Sequence, residues 1–133
     1  MKRAELREHI FKVIFGLEFN EEGTLDEQIQ LYFEQLEDEA KEKDLEYIRT
    51  KVQNISEKVN EIDSMINEHT KGWMTTRMNK ADLSILRLAV YEMKWDEDVP
   101  VGVAIDQAVE LAKKYSSDDG PSFVNGVLAK LAD

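Results

Sequence analysis

Apolar residues recur every three or four positions along most of the chain, and no alternating pattern persists for more than a few residues. That periodicity predicts an all-α protein. The first helix spans about Arg3 to Leu17. At 100° per residue, Leu6, Ile10, Val13, Ile14 and Leu17 form one stripe, which Phe11 and Phe15 widen. Arg3 and Arg7 fall in line with Ile10 and Ile14, at the helix end where the dipole disfavours a cation. Either the helix overhangs the core and offers both arginines to a partner, or their stems lie along its rim.

Gly23-Thr24 breaks the pattern, with Thr24 as N-cap and Glu27 completing a capping box. The helix from Leu25 is expected to bury Ile29, Tyr32, Phe33 and Leu36. It ends in "EDEAKEKD", a solvated connection. Asp44 then opens a segment carrying Leu45, Ile48, Val52, Ile55, Val59, Ile62 and Ile66. Its length predicts two helices with a kink.

Gly72 closes that segment, and Trp73 is expected to pack over it. Asn79 reads as an N-cap with Asp82 at the capping-box position. From Ala81 to Trp95 apolar residues cover most of the circumference, the mark of a helix at the centre of a bundle. Glu92 shares a side with Ile85 and Leu88, so burial and pairing with Arg87 or Arg77 are expected. Pro100 sits at the first turn of the next helix, whose core side carries Val103, Ile105, Ala108, Val109, Leu111, Ala112 and Tyr115. "SSDDG" supplies turn and cap residues, and Pro121 suits the first turn of a final helix. Gly126 lies inside that helix, costing about 1 kcal/mol relative to Ala, and such a glycine is expected to admit a neighbouring backbone.

At 133 residues the chain is one domain by length. It has no cysteine, which excludes disulfides and thiolate metal sites and fits a reducing compartment. The stretch Ile10 to Phe19 is too short for a spanning helix and is interrupted by Lys12 and Glu18, so the expectation is a cytoplasmic protein with no membrane contact.

A net charge of −11 argues at first against a nucleic-acid partner. Its distribution changes that. Residues 18–68 hold 16 acids against 5 Lys or Arg, and the rest of the chain holds 12 of each. The first 17 residues are locally basic, with Lys2, Arg3, Arg7 and Lys12 against Glu5 and Glu8. A Debye length of about 8 Å screens distant acids from such a patch. Signs of catalysis are lacking. His9 and His69 belong to no metal-binding pair, and there is no nucleophile elbow, phosphate loop or dinucleotide fingerprint. The residues by themselves reach a helical binding module, with no cofactor or metal expected.

Three segments say more. "SILRLAVYEM" (Ser84–Met93), "VPVGVAIDQAVELAKKY" (Val99–Tyr115) and "SFVNGVLAKL" (Ser122–Leu131), in this order and at close spacing, strongly resemble the bacterial NusB family of transcription antitermination factors. "KRAELREHIFKVIF" resembles that family's Arg-rich first helix, and Trp73 and Arg77 also fit. The middle, residues 20 to 70, matches only in helical pattern. The resemblance implies a compact bundle of about seven helices in two small sub-bundles, roughly 1–72 and 73–133, and no enzyme activity.

It further implies binding of a single-stranded boxA RNA together with the ribosomal small-subunit protein NusE, in a complex that helps RNA polymerase read through terminators. Carried over by position, the RNA side uses Lys2, Arg3 and Arg7, with Asp119, Ser122 and Phe123 at the last helix and Lys113 nearby. The protein partner meets the surface around Asp82. Two departures bear on strength: Glu5 and Glu8 interleave with the early cations, and Asp106-Gln107 stands where the family usually has Asn-Glu. Few phosphate contacts imply weak, salt-sensitive RNA binding that the partner improves. The competing readings are a helical protein–protein adaptor without RNA contact and part of an RNA methyltransferase, for which a chain ending at Asp133 leaves no room.

Overall fold

The computed structural model describes residues 1–19, 23–37 and 39–132, so Asp38 of the predicted charged connection lies outside the described residues. Among these residues six α-helices follow one another: α1 (Arg3–Leu17), α2 (Leu25–Glu34), α3 (Glu42–His69), α4 (Lys80–Trp95), α5 (Val101–Tyr115) and α6 (Gly120–Ala132). A single 3-10 turn, Thr75–Arg77, precedes α4. No strand occurs among the described residues.

The chain divides into two compact units, 1–56 and 57–133. The division falls inside α3, not at Gly72 as the sequence suggested, because α3 is one unbroken helix of 28 residues. The expected kink has no cause: residues 42–69 contain neither Gly nor Pro, and the apolar spacing never slips.

In the first unit, α1 buries Leu6, Ile10, Phe11, Val13 and Ile14 of the expected stripe, whereas Phe15 and Leu17 are half-buried. His9 Nδ1 and the Tyr32 hydroxyl share a 2.7 Å hydrogen bond that ties α1 to α2. Thr24 caps α2 as expected, its Oγ1 accepting from the Glu27 N–H at 3.1 Å. Of the four residues expected to be buried around α2, Ile29 is enclosed, whereas Tyr32, Phe33 and Leu36 are half-buried. Polar reach from α3 secures the exposed side. Gln53 donates to Asp26 at 2.8 Å, and the Arg49 guanidinium lies 5.3 Å from the centre of the Phe33 ring.

The second unit joins the last turns of α3 to α4, α5 and α6, and the last three pack on one another. Gly72, at φ +81°, turns the chain after α3 in a conformation that favours glycine. Asn79 caps α4 by accepting from the N–H groups of Ala81 and Asp82 at 2.7 and 3.2 Å. Leu83, Ile85, Leu86, Leu88, Ala89 and Val90 are all buried, so α4 is the central helix that its composition predicts. Glu92 is buried too, at 1% exposure. Arg87 makes a two-pronged contact with Asp63 of α3 at 3.0 and 2.8 Å, and Arg77 is exposed.

α5 turns a narrower face inward than its sequence suggested. Ala104, Ala108, Leu111 and Ala112 are buried, whereas Val101 and Val103 are exposed. Small side chains at this spacing let helices approach closely. α6 buries Val124, Val127, Leu128 and Leu131, again at spacings of three and four. Gly126 corrects the sequence reading: it is exposed, and a Cβ there would meet nothing within 4 Å.

The Arg87–Asp63 pair is mostly enclosed, at 14% and 22% side-chain exposure. Asp63→Ala should lower stability by about 1–3 kcal/mol in urea unfolding, with helical content kept, since charged hydrogen bonds of this kind contribute that much. A change below about 0.5 kcal/mol would show that solvent replaces the contact.

Candidate nucleic-acid interface

The candidate residues form two groups, one in each unit. In the first, the chain ahead of α1 is pinned: the Met1 ammonium sits 3.1 Å from the Asp44 carboxylate, which also accepts from the Lys41 N–H. The hydrogen bond to the ammonium holds the Asp44 carboxyl below its ordinary pKa; desolvation opposes this, and the Lys41 N–H adds to it.

Lys2 and Arg3 follow directly and are exposed. The Arg3 guanidinium lies 5.9 Å from the centre of the Tyr47 ring on α3, a cation–π contact that leaves its outer face to solvent. Arg7 differs. One turn further in, between buried Leu6 and Ile10, it is only 7% exposed. Of the two alternatives in the sequence, Arg3 takes the overhanging one and Arg7 the packed one, so Arg7 offers little surface to a ligand.

In the second unit, the turn between α5 and α6 sets the geometry. The Ser116 hydroxyl donates to the Asp82 carboxylate across from α5 to α4. The Gly120 N–H donates to the Ser117 carbonyl at 2.9 Å, and the Phe123 N–H to the Asp119 carbonyl at 3.1 Å. Gly120 is buried in the bend. A Cβ on it would fall 2.5 Å from the Ser116 Cβ and 3.2 Å from Asp82 Oδ1. The glycine that a neighbour crowds is therefore Gly120, not Gly126.

Asp119 and Ser122 come out exposed on this turn, and Phe123 half-buried. Phe123 meets Trp73 edge to face, with ring centres 5.6 Å apart and planes at 61°. Trp73 is 57% exposed and Met74 beside it 46%, so an aromatic pair faces outward with one ring anchored. This corrects the expectation that Trp73 covers Gly72. Asp82, expected beside a protein partner, is 7% exposed and engaged by Ser116. Its neighbours Asn79 and Lys80 are exposed.

Lys113 is exposed at the end of α5, 3.1 Å from Glu110. With Ser122 it borders an open groove of about 600 Å³ between α5 and the start of α6. Sequence reasoning named Trp73 as a family-fitting residue and read Ser116 and Gly120 only as turn residues, missing the contact of Trp73 with Phe123 and of Ser116 with Asp82. Their one signal was position: an aromatic in a Gly-flanked connector without a periodic partner, and a small residue directly before the proline of a helix start. Among the described residues no three His, Asp or Glu side chains gather to hold a metal. No helix is long and apolar enough to cross a membrane.

Helices packed around α4, with the candidate side chains at helix ends and in open grooves, define a class first: all-helical scaffolds that bind at their surface. Similarity narrows the class to one family. The profile of the NusB family matches residues 4–133, and the chain belongs to that family.

It is 47% identical over 133 residues to the transcription antitermination protein NusB of Lachnoclostridium phytofermentans, covering all of both chains. It is also 47% identical over 132 residues to the protein of the same name from Agathobacter rectalis, covering 99% of this chain and all of the relative. Among solved structures, T. maritima NusB superimposes with a TM-score of 0.89 at 33% identity, over 99% of this chain and 91% of that one. NusB in the crystal structure of antitermination factors NusB and NusE in complex with dsRNA gives 0.85 at 26% identity, over 99% and 98%.

Gly120→Ala should destabilise the protein by about 1–3 kcal/mol in chemical unfolding, because the added methyl must displace Ser116 or Asp82. Ser116→Ala combined with it should not restore stability, since the Ser116 Cβ remains. A Gly120→Ala protein as stable as the parent would show that the bend relaxes freely.

Proposed function

We propose that this chain is a transcription antitermination factor that binds a boxA-type single-stranded RNA together with the ribosomal protein NusE. The complex helps RNA polymerase read through terminators, as in ribosomal RNA operons. The protein works in the cytoplasm, by binding alone and without a catalytic step. The observation that carries this reading is the match of the entire chain, at 47% identity, to a transcription antitermination protein NusB. The related NusB–NusE assembly with dsRNA supports both an RNA and a NusE partner.

The surfaces support a division of labour. Lys2 and Arg3 are exposed cations suited to phosphate. Phe123, with Trp73 against it, offers an aromatic face to an unpaired base, and such stacking is worth about 1–3 kcal/mol. That pair favours a single strand over a duplex, whose bases already stack on each other. Ser122 donates or accepts at the helix start. Asp119 repels phosphate and serves only toward a base or a neighbouring group. Arg7 reinforces the cationic end from beneath, and Lys113 adds charge tempered by Glu110. NusE docks along the first turn of α4 around Asp82.

With two exposed cations in the first group and a net charge of −11, RNA affinity alone is low and falls steeply with salt. A gel shift with a boxA-type RNA should show weak retention by the protein and much stronger retention once NusE is added. Lys2→Glu with Arg3→Glu should abolish retention, keep helical content and NusE binding, and flatten the log–log salt dependence by about 0.7 per phosphate lost. NusE binding with no RNA retained at low salt would instead favour a protein–protein adaptor.

A further inference from the structure

The open groove between α5 and the first turns of α6 has a lining that suits a base better than a phosphate. Its volume, about 600 Å³, is within the range of small-ligand sites. Lys113 is its one cation, and Glu110 lies 3.1 Å from the ammonium. Asp106 then leaves the groove with a surplus negative charge, which repels phosphate. Two side-chain amides also line the groove, Gln107 from α5 and Asn125 from α6, each able to donate and accept. Val109 on one helix and Pro121 on the other supply apolar walls. A planar, uncharged group with donors on its edge fits this combination. Ser122 lines the groove, and Phe123 of the aromatic pair follows it in the chain.

We propose that this groove takes one unpaired nucleobase of the bound RNA and reads its edge through Asp106, Gln107 and Asn125, with guanine preferred. Guanine presents a ring N–H and an amino group side by side, and a carboxylate accepts both at once. Uracil has no amino group to offer. The phosphate of the same nucleotide stays outside, on the solvent side of the acids. Asp106 and its neighbours thus determine which base is accepted, and the cations at α1 determine how tightly any strand is held. This reading rests on RNA binding as proposed above and adds to it a place where sequence is read.

The test separates the two. Single-stranded boxA-type RNAs, each with one guanine replaced by inosine, which lacks only the amino group, are titrated by fluorescence anisotropy with NusE present. For the unaltered protein one position should lose roughly tenfold in affinity, the size expected for a base-edge contact. Asp106→Asn should remove that loss at the same position while leaving the salt dependence unchanged. Asn125→Ala should blunt it. Asp106 is exposed, and a melting curve verifies that the variant is folded. Equal tolerance of inosine everywhere, or an Asp106→Asn protein that still discriminates, overturns the groove as a reader of bases. If the unaltered protein holds none of these RNAs, the RNA-binding function itself falls.

Discussion

The buried carboxylate of Asp82 and the hydroxyl of Ser116 hold the second unit's surface in place. A carboxylate at 7% exposure is costly unless something donates to it, and the donor here comes from the turn between α5 and α6. Satisfying Asp82 therefore draws that turn down on the N-terminal end of α4. The approach is so close that only a glycine fits at position 120. Once Gly120 is seated, α6 must begin there, and the backbone bond from Phe123 back to Asp119 sets the first turn. Phe123 is left half in and half out, resting on Trp73, while Asp119 and Ser122 project to solvent. The exposure of every candidate residue on this turn follows from one polar contact underneath it.

Much of the fold could be read from local pattern because the determinants were local. The limits of α1 and the caps at Thr24 and Asn79 are short-range choices of backbone and side chain, and the burial of α4 follows from its all-round apolar surface. What escaped depends on packing between distant segments. Gly126 and Gly120 are equally glycine in the sequence, and the folding of the α5–α6 turn, which sets Ser116 and then Asp82 against position 120, decides which of them is crowded. Arg3 and Arg7 share a stripe, yet one turn along the axis carries the first beyond the core and leaves the second inside it. Asp82 was legible as an acid in a first turn but not as a group claimed by Ser116, 34 positions later. α3 was misjudged because length weighed more than the absence of any residue that would break it.

Electrostatics shape the rest. The acids of residues 18–68 give the chain its whole surplus of charge, and the cations suited to phosphate are few and lie at the start of α1. A member of the NusB family built this way cannot hold RNA by charge alone. The proposed RNA contact therefore leans on uncharged surface, the outward-facing Trp73–Phe123 pair and the exposed helix start at Ser122.

The central claim is that the half-exposed Phe123, held by the α5–α6 turn, meets the RNA. Trp73 lies 5.6 Å from it and reports directly on that surface, once Trp95, the other tryptophan, is replaced by Phe. Adding single-stranded boxA-type RNA in the presence of NusE should quench Trp73 fluorescence in step with binding, and Phe123→Ala should weaken binding and quenching together. Full binding with unaltered Trp73 emission would contradict the claim and move the RNA to another face.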